Sequence, residues 1–157
     1  MNESYINSEL GYLHVITENT AVKAVLFMDD YSGEEIITDE TASQVKTQLE
    51  EYFSGKRKNF ELNLKPDGTD FQQKVWNALL EIPFGKTVSY HQQAVKLGDV
   101  KSIRAVASAN GKNPIAIIIP CHRVIGSDGT LTGYAGGLLR KQRLLELETG
   151  VRQSVLF

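Results

Sequence analysis

The chain has 157 residues, a formal net charge of −2, one cysteine and three histidines, a length that suits either one ordinary domain or two small ones and needs no staples to bury a core. A lone cysteine excludes an internal disulfide, no basic-then-apolar leader opens the chain and no apolar run is long enough to span a membrane, so a reducing, cytoplasmic setting is expected. With Cys and His this sparse, and no CxxC or HExxH spacing, no metal and no other cofactor is expected.

The small net charge hides an asymmetry. Residues 1–66 carry six Lys or Arg against twelve Asp or Glu, whereas residues 67–157 carry eleven against seven, and Lys86 to Arg143 alone holds nine against two. An ordinary solvated basic face has this composition, and so does a region that meets a polyanion.

Taken in chain order, GYLHVITEN and AVKAVLFMD read as an antiparallel strand pair, since both mix alternation with β-branched residues. Ala42, Val45, Leu49 and Phe53 then recur at helical spacing up to a stop at Gly55, and FELNL reads as a short strand. Pro and Gly in Lys65–Gly68 interrupt regular structure, which places a boundary between an N-terminal α/β domain, 1–66, and a C-terminal domain, 67–157. The second domain reads as mainly helical. Thr69 or Asp70 caps a helix with Phe71, Val75, Ala78, Leu79 and Ile82 on one face, ended by Pro83. Ser89 caps the short helix YHQQAVKL, which stops at Gly98, and Asp99 or Ser102 starts another that runs to Gly111. Together they make a helix-turn-helix pattern over about 89–111, presenting Lys101 and Arg104. A buried strand IAIII, a hairpin around Asp128-Gly129, the turn GYAGG and a final helix LLRKQRLLELE complete the chain.

Cys121 sits in PCHRVIG. A free cysteine is most often a small core residue that reacts only as its thiolate. Here Pro120 ends the preceding run, so the thiol lies where the chain leaves regular structure. His122 can serve as a base, directly or through one water, provided the backbone turns, because adjacent side chains in a straight strand point apart. A helix start at this place would also lower the thiol pKa through the helix dipole. Either Glu146 or Glu148 on the final helix can orient the imidazole, in the logic of a protease triad. These residues support an activated thiol beside a candidate DNA-binding helix pair, and they leave the substrate open.

The series FQQKVW, IPFGKTVSY, RAVASANGKNP, IPCHRVIG and GYAGG resembles the O6-alkylguanine-DNA alkyltransferases, the methylated-DNA-protein-cysteine methyltransferases, from about Thr69 to Gly150. The resemblance implies an α+β fold: a small antiparallel sheet plus helix of the ribonuclease H-like kind, then a mainly helical winged-helix DNA-binding domain. It implies a single-use DNA repair enzyme that flips O6-alkylguanine, and O4-alkylthymine, out of the duplex and moves the alkyl group irreversibly to Cys121. In that scheme His122 activates the thiol through water, Glu148 rather than Glu146 orients the ring, and Asn113 braces the turn beneath the nucleophile. Tyr90 faces the purine and the flipped phosphate. Arg104 fills the gap in the stack, with Lys101 and Ser102 nearby on the DNA face, while Tyr134, Ala135 and Val124 line the base pocket. The implied partner is duplex DNA carrying the lesion, approached through the minor groove by a monomer that has no membrane association. Some members bind zinc through N-terminal cysteines that this chain lacks. Gln93, Ile103, Ala107 and Ala135 depart from the commoner family residues.

Three other readings stand beside this one. A lesion sensor that binds without chemistry would replace the cysteine; a winged-helix redox regulator would oxidise reversibly and would not need Tyr90 or Asn113; a Cys/His hydrolase would turn over repeatedly.

Overall fold

The computed structural model describes residues 1–150; the last seven residues of the predicted second domain lie outside them. The chain forms two compact units, one made of Met1–Asp67 with Pro114–Ile118 and one made of Gly68–Asn113 with the chain from Ile119 onward. The first unit thus includes a five-residue return that a single cut near Pro66 does not anticipate.

In the first unit, β1 (Asn2–Ser8), β2 (Gly11–Glu18) and β3 (Ala21–Met28) form an antiparallel meander in that order. Leu13, Val15 and Thr17 of β2 alternate inward, the period-two pattern of a sheet with one covered face. In β3 the pairing skips from Val22, opposite Thr17, to Ala24, opposite Ile16. This bulge at Lys23 lets Ala21, Val22, Ala24 and Val25 all face the core. Helix α1 (Glu40–Phe53) is capped by Asp39, whose carboxylate accepts from Ala42 N–H, and it buries Val45, Leu49 and Tyr52. The polar strand β1 was not anticipated from sequence. FELNL contributes only a bridge between Leu64 and Val22, and IAIII only one between Ile115 and Val25. The expected buried strand IAIII does not form, because Ile117 takes φ +71° and Ile118 N–H closes back on the Ala116 carbonyl at 2.8 Å, a three-residue γ-turn that a strand cannot contain.

The second unit is mainly helical. Thr69 caps α2 (Asp70–Leu79) through a capping box with Gln72. The helix buries Val75, Trp76 and Leu79, and the Trp76 indole donates to the Ala109 carbonyl at 2.8 Å. Phe71, expected on the buried face, is exposed, and Trp76 takes its place. β4 (Val88–Ser89) pairs in parallel with β5 (Val124–Ile125). Ser89 caps α3 (Tyr90–Lys96), again through a capping box, with Gln92. Gly98, at φ +100°, ends that segment, and a 3-10 turn over Val100–Ser102 capped by Asp99 leads into α4 (Ile103–Gly111). Asp128-Gly129 forms a tight turn closed by Gly126 N–H to the Thr130 carbonyl, 2.9 Å. Among the described residues no strand follows it to complete a hairpin, and β5 pairs with β4 instead. Helix α5 (Leu138–Thr149) ends the described chain. No helix among the described residues is long and apolar enough to cross a membrane.

Candidate active site

Pro120 bends the chain at the thiol. Its φ of −84° and ψ of 62° define an inverse γ-turn, closed by Cys121 N–H on the Ile119 carbonyl at 2.8 Å. A short 3-10 turn, Cys121–Arg123, follows. The adjacent Cys121 and His122 side chains therefore do not diverge as they would in a strand. Asn113 stands against this turn: its amide donates to the Ile119 carbonyl at 2.8 Å and to Cys121 Sγ at 3.3 Å.

Behind the thiol, His122 is completely buried and its Nε2 meets Glu148 Oε2 at 2.7 Å. Burial by itself would raise the Glu148 pKa, but hydrogen bonds from His122 and Arg123 hold the carboxyl well below its usual range. An ionised Glu148 accepts, so Nε2 carries the proton and Nδ1 keeps its lone pair. Nδ1 is buried and has no protein hydrogen-bond partner. Burial also pushes the His122 pKa down, against the pull of Glu148, which keeps the ring neutral.

Sequence reasoning missed two members of this cluster. The Arg123 guanidinium grips Glu148 in bidentate fashion, Nε to Oε1 at 2.8 Å and Nη2 to Oε2 at 2.9 Å, and donates through Nη1 to the Ile82 carbonyl at 2.6 Å. Lys141 is fully buried, donates to the Thr132 carbonyl at 2.7 Å, and has its pKa lowered by burial to about 8, against the opposing charge of Cys121. Both had been counted in the basic excess, but neither is exposed. For Lys141 the available signal was its spacing with Leu144, Leu145 and Glu148, which places it with Glu148 on the buried stripe of α5; Arg123, outside that helix, had no such signal.

The expectation of a lowered thiol pKa does not hold. Burial pushes the Cys121 thiol above its ordinary value, and the Asn113 hydrogen bond and Lys141 charge offset only part of the rise. A three-residue 3-10 turn carries too small a dipole to reverse this.

Cys121 lines a cleft of about 630 Å³ together with Tyr90, Arg104, Asn110, Tyr134 and Ala135. Tyr90 opens α3, and its hydroxyl donates to the Thr132 carbonyl at 2.9 Å. Arg104 and Lys101 are exposed, and Arg104 reaches the cleft whereas Lys101 does not line it. The Ser102 hydroxyl donates to the Asp99 carbonyl at 2.6 Å, so its proton is already used within the turn. Val124 is a correction: it is fully buried, paired with Val88 in the β4–β5 ladder, and does not line the cleft. Gln93, the polar departure in α3, is buried in a reciprocal amide pair with Asn110. Among the described residues no group of three or more His, Cys, Asp or Glu side chains is placed to hold a metal ion.

This fold and site define a class: an α+β protein whose helical unit presents one thiol in a cleft beside a helix pair, backed by a buried imidazole and carboxylate. The family model for the ribonuclease-like domain of 6-O-methylguanine DNA methyltransferase matches residues 1–66, and that for the DNA-binding domain matches residues 70–150. The chain belongs to the methylated-DNA-protein-cysteine methyltransferase family. It is 44% identical over 153 residues to such a protein from Methanosarcina acetivorans, covering 94% of this chain and 98% of that one. To one from Methanosarcina barkeri it is 63% identical over 101 residues, 64% of each chain. Among solved structures, O6-methylguanine methyltransferase of Mycobacterium tuberculosis superposes with a TM-score of 0.84 at 42% identity, covering 96% of this chain and 93% of that one. The same organism's protein in complex with DNA matches at 45% identity with the same score, over 93% of this chain and 91% of that one.

Proposed function

We propose that this chain repairs alkylated duplex DNA by drawing an O6-alkylguanine, or an O4-alkylthymine, out of the stack and taking its alkyl group irreversibly onto Cys121. The observation that carries the reading is a thiol in a cleft with room for a base, with the His122–Glu148 pair behind it. A base inside a duplex cannot present O6 to a thiol in a cleft, so the nucleotide is extruded first. Arg104, exposed at the cleft on the second helix of the pair, occupies the gap in the stack. Binding is through the minor groove, with phosphate contacts that suit a search for one lesion in any sequence, and the protein acts as a monomer.

In the chemical step Cys121 gives up its proton to His122 Nδ1 through one bridging water. Glu148 and Arg123 hold the ring in the required tautomer and stabilise the imidazolium that forms. Asn113 donates to the sulfur and Lys141 adds positive charge, so the thiolate that burial opposes is favoured at the moment of attack. Sulfur attacks the saturated alkyl carbon, an S–C bond forms and the C–O6 bond breaks. The electron pair leaves with the guanine, and the proton taken from Cys121 returns from the His122 imidazolium through solvent to neutralise the purine, so none is gained or lost overall; Tyr90 faces the purine as a hydrogen-bonding group. A thioether has no carbonyl for water to attack, so each molecule reacts once.

The test titrates the protein with duplex carrying radiolabelled O6-methylguanine. Label should pass to protein and plateau at one equivalent per chain. Continued turnover would favour the hydrolase reading, and binding without transfer the lesion sensor.

A further inference from the structure

Gln93 and Asn110 form a buried side-chain amide pair between α3 and α4. Gln93 Nε2 donates to Asn110 Oδ1 at 2.8 Å, and Asn110 Nδ2 donates back to Gln93 Oε1 at 2.7 Å. The residues are only 5% and 6% exposed. Asn110 also lines the cleft that contains Cys121, whose lining includes Ile103, Ala107 and Ala135. An amide offers two N–H donors and two carbonyl lone pairs. The reciprocal pair uses one of each, so Asn110 keeps one donor and one acceptor beyond the pair. Gln93 fixes which edge of the Asn110 amide carries each, because a flip would oppose donor to donor.

We infer that Asn110, held by Gln93, is a specificity-determining residue that favours alkyl adducts bearing a hydrogen-bonding atom, such as hydroxyalkyl groups, over purely apolar ones of equal size. The inference rests on the proposed alkyl transfer. The cleft volume accommodates more than a methylated base, which leaves room for a longer substituent beside Asn110. An apolar chain against Asn110 strips water from its remaining donor and acceptor and returns nothing, whereas a hydroxyl satisfies at least one of them. The Tyr90 hydroxyl proton is directed to the Thr132 carbonyl, and Arg104 is exposed, which leaves Asn110 as the buried amide of this wall.

The experiment compares single-turnover transfer from duplexes carrying O6-(2-hydroxyethyl)guanine and O6-propylguanine, whose alkyl groups have equal numbers of heavy atoms, with O6-methylguanine as the reference for each protein. Intrinsic reactivity of the two groups is common to all variants and cancels when their rate ratios are compared. Asn110→Leu should lower the hydroxyethyl-to-propyl ratio roughly 3- to 10-fold relative to the unsubstituted chain, the worth of one neutral hydrogen bond. Gln93→Leu keeps Asn110 but releases its amide, and should lower the ratio by a smaller factor. The double variant Gln93→Leu/Asn110→Leu leaves no buried amide without a partner, so it supplies the comparison if either single variant fails to fold; it should match Asn110→Leu. A ratio unchanged in Asn110→Leu or in the double variant overturns the specificity role, and one unchanged in Gln93→Leu overturns the positioning role. Absence of methyl transfer in the unsubstituted chain would instead overturn the alkyl-transfer reading itself.

Discussion

Burial pushes the Cys121 thiol up, and Asn113 and Lys141 recover only part of that rise. The resting protein therefore holds a neutral thiol at neutral pH, and in the proposed mechanism activation comes from the relay behind it. One consequence is kinetic: iodoacetamide should modify Cys121 at pH 7 more slowly than it modifies free cysteine, with the rate climbing as pH rises through the thiol pKa; a rate at pH 7 above that of free cysteine would contradict this. The relay also ties stability to pH. His122 has a folded pKa below its ordinary 6.5 and Glu148 one below its ordinary 4.5, so in both cases the unfolded chain binds more protons on acidification. Stability should be fully present above about pH 6.5 and fall as pH drops, first through His122 and then, below about pH 4.5, through Glu148. Urea midpoints measured between pH 8 and pH 4 check this, and a flat profile would contradict it. Glu148→Gln removes the charge that Arg123 and His122 share, leaving a buried guanidinium uncompensated. It should cost about 3–5 kcal/mol in urea unfolding and slow alkyl transfer as well.

At the scale of elements, the helix pair supplies part of the cleft lining, α3 through Tyr90 and α4 through Arg104 and Asn110. Ser89 fixes where α3 begins, and so where Tyr90 stands. Ser89→Ala should cost roughly 0.5–2 kcal/mol of stability, measured by denaturant unfolding. Arg104 lies in the first turn of α4 and is exposed. Arg104→Ala should reduce repair of duplex O6-methylguanine far more than reaction with free O6-benzylguanine, because the free base has no stack to hold open. Equal losses on both substrates would remove its assignment as the residue that enters the stack. The γ-turn at Ile117 is the element sequence could not disclose. Five apolar residues in IAIII have the composition of a buried strand, yet Ile117 lies in the left-handed region, where a β-branched residue is held only by its surroundings. Local propensity contains no trace of such a constraint. Pro120, by contrast, announces the turn at Cys121, since its ring fixes φ.

Over the whole molecule, the hairpin strands and the five α-helices of the described residues, the α3–α4 pair among them, were legible because periodicity and caps are local signals. The strand β1 was not, because its polar NESYINS becomes a strand only by pairing with β2. The candidate site was legible through its motif residues Cys121, His122, Asn113 and Tyr90. Arg123, Lys141 and Asn110 were not, because their roles depend on which charges and amides the fold buries together, and Val124 was misplaced because its pairing with Val88 spans thirty-six positions of sequence. The same burial reduces the basic surface to fewer groups than the charge count suggests, with Lys96 further tied to Glu81 at 3.0 Å. Affinity for undamaged duplex should accordingly fall with salt on a log–log slope shallower than about −5, below that of a protein neutralising 6–10 phosphates; a steeper slope would require a second basic surface. The most direct measurement of the central claim is peptide mass spectrometry after incubation with duplex O6-methylguanine. The account predicts one methyl group per chain, carried as a thioether on Cys121 and absent from Cys121→Ser; a methyl group on any other residue, or none, would contradict it.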